Sequence, residues 1–179
     1  MRVIAGIYKG ATLFSPKGKQ VRPTADRIRE FIFSYLGDEI VDKQVLDLFC
    51  GTGSLGIEAL SRGAKEAVFV DMAVSSIALV KRNLVKVGIE AKTVRMDAAH
   101  FLTTAHRAGR RWDFIFSDPP YDYPYFNKIL QLIQKFDILS EGGAVVYESR
   151  SRDETVLSER FTITKQKKMG DTVITFYQV

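Results

Sequence analysis

From residue 45 onward, short apolar runs alternate with longer segments whose apolar residues recur every three or four positions. The short runs predict β-strands, and the longer segments predict amphipathic helices. This alternation is typical of a Rossmann-like α/β fold, in which helices cover both faces of a mostly parallel sheet. We expect strands at residues 45–49, 67–71, 92–96, 112–117 and 144–148. We expect helices near residues 54–62, 74–87, 99–106 and 125–135.

The first forty residues follow a different pattern. Residues 3–5 and 12–14 are two arms around a glycine-containing turn, which predicts a β-hairpin. An amphipathic helix follows, with Thr24 as its predicted cap and Gly37 as its predicted end. The sequence therefore predicts an N-terminal β-hairpin and helix in front of the alternating part.

Near the end of the chain, residues 161–167 and 172–178 form two strand-like runs with no helix between them. A short polar turn joins these runs, which predicts an antiparallel pair. No linker-like change of composition divides the chain. We therefore treat residues 1–179 as a single domain, in which 1–40 is an extension and 41–179 is the core.

The composition is that of a soluble globular domain, with 46% hydrophobic and 26% charged residues. No apolar run reaches membrane-spanning length, and the N-terminus lacks the apolar core of a signal peptide. The single cysteine, Cys50, cannot form an internal disulfide, so we expect a cytoplasmic protein. One cysteine and two histidines without paired spacing predict no metal site.

The net charge of +5 is concentrated at the start of the chain. Residues 1–30 hold seven of the 26 Lys and Arg residues but two of the 21 acidic residues, so the rest of the chain is balanced. Such an excess in one segment indicates contact with a polyanion such as RNA. A solvated basic surface explains the charge equally well on this ground alone.

Three glycines follow the first predicted strand in the spacing G-x-G-x-x-G. Gly51 suits a tight turn, Gly53 lets a ligand approach the backbone, and Gly56 lets the next helix pack close to the strand. An acid, Asp71, ends the second predicted strand, where it suits the two hydroxyls of a ribose. These features predict a cofactor that contains a nucleoside.

Asp47 lies inside the apolar run 45–49, where a carboxylate is costly to bury without a partner. A pyrophosphate would repel this carboxylate, whereas the ammonium and sulfonium groups of S-adenosylmethionine would stabilise it. Asp47 therefore favours S-adenosylmethionine over a nicotinamide cofactor. A carboxylate that is bonded to nearby amides is the structural alternative.

The segment Asp118-Pro119-Pro120-Tyr121 follows the fourth predicted strand. In a doubly wound sheet this strand lies beside the first, so the segment faces the glycine turn across a crevice. The prolines lack amide donors, which leaves an acceptor-rich corner. Such a corner suits the exocyclic amine of a nucleobase, because Asp118 can accept the departing proton and Tyr121 can stack on a flipped base. A rigid turn with a capping aspartate is the structural alternative.

Taken together, three motifs resemble the RsmD-type family of bacterial 16S rRNA guanine-N2 methyltransferases. They are the Asp-Pro-Pro-Tyr corner, Arg22-Pro-Thr-x-Asp-Arg-x-Arg-Glu-x-x-Phe33, and the stretch from Val45 to Gly63. The resemblance covers nearly the whole chain. It implies a class I methyltransferase fold with a seven-stranded sheet, and S-adenosyl-L-methionine as cofactor. It also implies methylation of the N2 amine of a guanine in 16S rRNA, either free or in a small-subunit particle, by a monomer.

The resemblance also implies roles for individual residues. Two positions depart from the family pattern: Asp71 stands where Glu is common, and Cys50, which we interpret as a packing residue, stands where a small residue is usual. The catalytic residues would be Asp118, Pro119, Pro120 and Tyr121. The cofactor-binding residues would be Asp47, Phe49, Gly51, Gly53, Asp71, Met72, Asp97 and Ala98. The substrate-binding residues would be Arg22, Thr24, Arg27 and Tyr121.

Two other hypotheses stay open on the sequence. An adenine-N6 methyltransferase that acts on DNA or RNA could use the same Asp-Pro-Pro-Tyr corner. A non-catalytic RNA-binding or ribosome-assembly module could retain the fold without the reaction, although the intact glycine turn and its surrounding acids argue against it. Which nucleotide is modified cannot be derived from the sequence.

Overall fold

The computed structural model describes residues 1–16, 23–120, 126–151 and 160–179, with the backbone alone at 23–25 and 126–127. Its five α-helices are α1 Pro23–Leu36, α2 Ser54–Ser61, α3 Val74–Val87, α4 Ala98–Arg107 and α5 Phe126–Lys135. Its seven β-strands are β1 Gln44–Leu48, β2 Glu66–Asp71, β3 Lys92–Arg95, β4 Trp112–Ser117, β5 Leu139–Arg150, β6 Thr162–Met169 and β7 Thr172–Gln178.

All seven strands form one sheet in the order β3-β2-β1-β4-β5-β7-β6. The first five strands are parallel, β7 is antiparallel to β5, and β6 is antiparallel to β7. Neighbouring residues of a strand point to opposite faces, so Phe69 joins a core with α1, α2 and α3 while Val68 joins a core with α4. Helices on both faces of a mostly parallel sheet are what the strand–helix alternation predicts.

The predicted strands and helices of the core agree with the structure to within one or two residues, apart from β5. This strand begins at Leu139, five residues before the predicted start. Gly143 allows the extension, because a Cβ there would lie 2.7 Å from the carbonyl oxygen of Asp113. The pairing with β4 shifts register between Trp112 and Phe114, so the extra length is accommodated by an irregularity in the ladder.

The predicted N-terminal hairpin is present, but its antiparallel ladder is short. One antiparallel bridge joins Arg2 to Thr12, and the amides of Val3 and Leu13 donate across it to the carbonyl oxygens of Ala11 and Met1 at 2.9 Å, while residues 7–10 form the turn. Gly6, with a φ of +82°, brings the segment onto the end of α2, where the carbonyl oxygen of Ser61 accepts a hydrogen bond from Ile7 N at 2.8 Å. Contacts with α2 therefore replace the cross-strand hydrogen bonds of a longer hairpin.

The prediction that Thr24 caps the first helix is wrong. Helix α1 begins at Pro23, so Thr24 lies within its first turn, and proline suits the first helical position because its missing N–H needs no partner there. Gly37, with a φ of +52°, ends α1 as predicted and leads into a 3₁₀ turn, Gly37–Ile40. Among the helices that the structure describes, none combines the length and the apolar character needed to cross a bilayer.

Candidate active site

Four carboxylates lie at the carboxyl ends of four adjacent parallel strands. In sheet order they are Asp71 of β2, Asp47 of β1, Asp118 after β4 and Glu148 of β5. The register pairs Ser117 with both Leu48 and Tyr147, so Asp118 and Glu148 follow paired residues at the same level of the sheet. We call these four residues the carboxylate row.

The side chain of Asp47, in β1, reaches the first turn of α2. Its side chain is 2% exposed, and its Oδ2 accepts a hydrogen bond from Gly56 N at 2.9 Å. Burial, with a smaller contribution from the charges of Asp118 and Asp71, raises the pKa of Asp47 to about 8, and the Gly56 hydrogen bond opposes the shift. Ionised Asp47 is thus poorly compensated by protein alone, which fits a cationic ligand at the neighbouring turn.

Glycine is needed in the turn after β1 for two reasons, backbone conformation and close packing. Gly51 and Gly53 have positive φ angles of 52° and 77°. A Cβ on Gly56 would lie 2.4 Å from the Phe69 ring, which confirms that Gly56 permits close packing of helix on strand. A Cβ on Gly53 would lie 3.1 Å from a side-chain carbon of Val80, so the protein's own packing already favours glycine there. The close approach of a ligand to Gly53 stays a prediction.

Asp71 braces the glycine turn. Its Oδ2 accepts a hydrogen bond from Gly51 N at 3.0 Å, and its Oδ1 accepts one from Ala73 N at 2.8 Å. Each carboxylate oxygen has a second lone pair, so these bonds leave acceptor capacity for ribose hydroxyls. Phe49, which precedes the turn, has a positive φ of 58° and packs its half-buried side chain against the core beneath α4.

The residues predicted to bind adenine lie in two adjacent loops. The amide of Met96 donates a hydrogen bond to the carbonyl oxygen of Asp71 at 3.1 Å, which holds the loops together. Met72 is 65% exposed beside them. Asp97 is the N-cap of α4, where its Oδ1 accepts a hydrogen bond from the third helical residue at 3.1 Å, and Ala98 is the buried first residue of that helix. A contact of Asp97 with adenine stays a prediction.

A crevice of about 320 Å³ opens on the other side of the glycine turn. Its volume is within the range of small-molecule sites. It brings Asp118 and the start of α2 to one space, which is the arrangement that the sheet order predicts. Its lining comprises Ile28 and Arg29 of α1, Ser54 and Leu55 of α2, Asp118, Glu148, and the β6–β7 turn from Met169 to Thr172.

Asp118, which begins the Pro-Pro corner, lines this crevice. The side chain of Asp118 is open to it, and the reduced hydration there raises the pKa of Asp118 to about 6. Pro119 is buried and Pro120 is exposed. Two predicted site residues, Tyr121 and Arg22, lie outside the described residues, and the structure describes only the backbone of Thr24.

Glu148 is a crevice residue outside the predicted catalytic, cofactor-binding and substrate-binding sets. It is half-buried near the end of β5, and its carboxylate accepts a hydrogen bond from the Thr172 hydroxyl. Burial and the charge of Asp118 raise the pKa of Glu148 to about 8, and the bond with Thr172 opposes this. The available signal was its position at the carboxyl end of a predicted parallel strand.

Glu58 of α2 anchors the N-terminal segment from inside the fold. It is 1% exposed, and its two oxygens accept hydrogen bonds from Ile4 N at 2.8 Å and Ala5 N at 3.0 Å. Arg62 Nε donates to the same carboxylate at 2.8 Å, and Arg29 Nε lies 3.7 Å from it. The carboxylate is therefore shared by two cations and two backbone amides.

Arg29 is the buried cation of this cluster. Its Nη2 donates to the carbonyl oxygen of Arg2 at 2.6 Å and to Asp26 Oδ1 at 3.0 Å. Arg29 is one of the seven cations in the first thirty residues, but only 2% of its surface is exposed, so its charge is neutralised inside the protein. The exposed cations described in this region are Arg2, Lys9 and Arg27, which we call the N-terminal basic surface. They line one shallow groove with Asp26 and Glu30.

Cys50 is 7% exposed, and burial raises its pKa, which suits a packing residue rather than a nucleophile. Across residues 1–16, 23–120, 126–151 and 160–179, no group of three or more His, Cys, Asp or Glu side chains is placed to hold a metal ion.

The sheet order, the antiparallel β7, and the glycine turn beside an acidic crevice define a class I methyltransferase fold, which confirms the predicted fold class. The chain belongs to the family described as "Conserved hypothetical protein 95", whose model matches residues 1–178.

Relatives with names support the same assignment. The chain is 37% identical to the "Putative rRNA methyltransferase YlbH" of Bacillus subtilis, over 99% of this chain and 98% of that protein. It is 32% identical to the ribosomal RNA small subunit methyltransferase D of Escherichia coli, over 99% of this chain and 89% of that protein. The solved structure "Putative methyltransferase yhhF from Escherichia coli" matches with a TM-score of 0.88 and 30% identity, over 99% of this chain and 97% of that one. The RsmD-type resemblance is thereby confirmed.

Proposed function

We propose that this protein transfers the methyl group of S-adenosylmethionine to the exocyclic N2 amine of a guanine in 16S rRNA. The observation that carries the proposal is the shared crevice, in which Asp118 and the residues directly after the glycine turn line one space of about 320 Å³. An amine held at Asp118 would lie beside a cofactor held at the turn. Named relatives that act on rRNA at more than 30% identity support the substrate class.

The charge of the site fits this cofactor. The carboxylate row concentrates acidic groups around the turn, and burial of Asp47 leaves its ionised form in need of a positive neighbour. The sulfonium and ammonium groups of S-adenosylmethionine would satisfy that need, whereas the pyrophosphate of a nicotinamide cofactor would be repelled. Asp71 would hold the ribose, and Met72, Asp97 and Ala98 would surround the adenine.

Asp118 would hold the amine and remove its proton. When bound, S-adenosylmethionine supplies an electrophilic methyl group on a positively charged sulfur. As the new N–C bond forms and the S–C bond breaks, the amine nitrogen loses one proton, which a carboxylate oxygen of Asp118 accepts. A general base works best with a pKa near the operating pH, and the pKa of Asp118 is raised to about 6.

The same acidic groups constrain how the RNA can approach. A neutral base can enter between Asp118 and Glu148, but its phosphates would be repelled from the carboxylate row. The phosphates would instead follow the N-terminal basic surface, formed by Arg2, Lys9 and Arg27. The target guanine would therefore be presented unstacked, with its backbone outside the crevice.

Methyl transfer to small-subunit particles tests the proposal. Particles from a strain that lacks the gene are incubated with radiolabelled S-adenosylmethionine, and the labelled nucleoside is identified by mass spectrometry. We expect N2-methylguanosine with the wild type, and a loss of roughly 100-fold or more in kcat with Asp118→Asn. Cofactor affinity, measured by calorimetry, should change little in this variant.

The matched control is Asp113→Asn, because Asp113 lies at the opposite end of β4 and accepts a hydrogen bond from Gln44 N that an asparagine oxygen can also accept. This variant should retain full activity. Labelled N6-methyladenosine would support the adenine enzyme instead. Cofactor binding without methyl transfer to any RNA would support the non-catalytic module.

A further inference from the structure

Glu148 and Asp118 face one narrow space from neighbouring strands. The residues that precede them, Tyr147 and Ser117, are paired in the parallel ladder, and adjacent strands lie about 4.8 Å apart. Both side chains line the crevice, and the charge of Asp118 acts on Glu148. A single planar base edge that meets Asp118 would therefore also meet Glu148.

The two purines differ at the atom beside the amine. In guanine, the N2 amine lies next to N1–H, so the edge presents two neighbouring donors. In adenine, the N6 amine lies next to an N1 that carries a lone pair, so a donor lies next to an acceptor. An ionised carboxylate only accepts hydrogen bonds. It therefore matches N1–H of guanine and is repelled by N1 of adenine.

We propose that Glu148 is the residue that selects guanine: its carboxylate accepts a hydrogen bond from N1–H while Asp118 holds the N2 amine. This inference rests on the proposed function, because it names how that same crevice recognises its base. Thr172 is the positioning residue for this contact, since its hydroxyl donates a hydrogen bond to the Glu148 carboxylate. That bond also stabilises the ionised form that the contact requires.

The charged surroundings of Glu148 are mixed. Asp118 faces it from β4, Asp171 lies in the β6–β7 turn, and Arg29 lines the crevice from α1. Burial and Asp118 raise the pKa of Glu148 to about 8. An incoming N1–H donor would lower it again, because the hydrogen bond favours the carboxylate. Guanine binding and ionisation of Glu148 would thus reinforce each other.

The test replaces the target guanine by 2-aminopurine, which keeps the C2 amine but has an unprotonated N1. Once the modified position is mapped, 16S rRNA with either base at that position is made by splinted ligation and assembled into small-subunit particles. At pH 8.5, above the pKa of about 8 for Glu148, the wild type should prefer guanine in kcat/KM by roughly tenfold or more. In Glu148→Gln the preference should fall at least fivefold, because the glutamine amide can donate to N1.

Two further variants guard the interpretation. Glu148→Asp keeps a carboxylate and should keep the preference for guanine at a lower rate. Glu141→Gln changes an exposed residue of the same strand, outside the crevice, and should change neither rate nor preference. Thermal melts and cofactor affinity establish that each variant is folded.

The outcomes separate the inference from the proposed function. A wild type that methylates guanine, with an unchanged guanine preference in Glu148→Gln, overturns the role of Glu148 and leaves the proposed function standing. Equal use of guanine and 2-aminopurine by the wild type does the same. A wild type that methylates no guanine in small-subunit particles overturns both.

Discussion

At Gly56, the missing side chain determines how closely α2 approaches the sheet. A Cβ at this position would lie 2.4 Å from Phe69 Cε1, and Phe69 is fully buried, so the ring has no free space to enter. Gly56→Ala should therefore lower the free energy of unfolding by about 1–3 kcal/mol, despite the better helix propensity of alanine. Urea denaturation measures this change.

A second substitution shows whether the clash is the cause. Phe69→Leu removes the atoms that the new methyl group would meet, so Gly56→Ala should cost less in a Phe69→Leu background than in the wild type. Equal costs in both backgrounds would contradict the packing explanation, because residues in contact are expected to show a coupling energy.

Asp47 makes stability depend on pH. Its ordinary pKa of about 3.9 applies to the unfolded chain, whereas burial raises the pKa in the folded protein to about 8. Between these values the folded state holds a proton that the unfolded state has released. The unliganded protein should therefore lose stability as pH rises from about 4 to about 8, by up to about 1.4 kcal/mol per pH unit from this group.

Asp47→Asn isolates this contribution. Asparagine retains an oxygen that can accept the hydrogen bond from Gly56, but it does not titrate. Denaturation at pH 5.5, 6.5 and 7.5 should give a shallower slope of stability against pH than the wild type. Asp118 and Glu148, whose pKa values are also raised, keep part of the slope. Identical slopes would show that Asp47 does not titrate in this range.

At the residue scale, the sequence predicted types of residue better than partners. The acids Asp71 and Asp118 are at strand ends because the apolar runs end there, whereas Asp47 lies inside its run, one residue before the end of β1. Nothing in the sequence showed that Arg29 is buried against Glu58, since a charge pattern does not show which cations the fold encloses. Their pairing depends on packing between α1 and α2, and strand β1 lies between these two helices in the sequence.

At the scale of elements, Glu58 connects the N-terminal segment to α2. Glu58→Gln removes the charge that compensates buried Arg29 and weakens the bonds to Ile4 and Ala5. We expect a loss of about 3–5 kcal/mol in the free energy of unfolding. Hydrogen exchange at the amides of Ile4 and Ala5 should accelerate more than exchange in the central strands.

The matched control is Glu66→Gln. Glu66 forms an ion pair with Arg110 at 3.0 Å, but both side chains are more than a third exposed, so its loss should cost less than about 1 kcal/mol. If the two variants lose the same stability, the buried cluster does not hold the N-terminal segment in the way that the structure indicates.

The same contacts explain which elements could be predicted from the sequence. The period of the apolar residues determined the strands and helices of the core, because each has a face to bury. The hairpin ladder is short because Glu58 and Ser61 of α2 accept hydrogen bonds from backbone amides between its two arms, and such long-range side-chain partners leave no periodic signal. The early start of β5 depends on Gly143 and its contact with Asp113, which is equally non-local.

At the scale of the whole molecule, charge is segregated rather than abundant. Asp118 and Glu148 of the carboxylate row line the crevice, whereas Arg2, Lys9 and Arg27 are exposed on the N-terminal segment and α1. The sequence located the positive excess in the first thirty residues, but the structure removes Arg29 from it. A basic outer surface and an acidic crevice would bind an RNA by its phosphates while admitting one uncharged base.

The salt dependence of binding to small-subunit particles tests this division. A Lys9→Ala/Arg27→Ala variant should bind more weakly at every salt concentration, and the slope of log Kd against log salt should fall by about one for each phosphate that is no longer neutralised. Because neither side chain lines the crevice, kcat at saturating particle concentration should stay near the wild-type value while KM rises. Lys92→Ala, on the edge strand β3, removes one exposed cation elsewhere and should leave the slope unchanged. A lower kcat with an unchanged slope would instead place these residues in the chemistry of the crevice, because electrostatic anchoring acts on binding and not on the transferred methyl group.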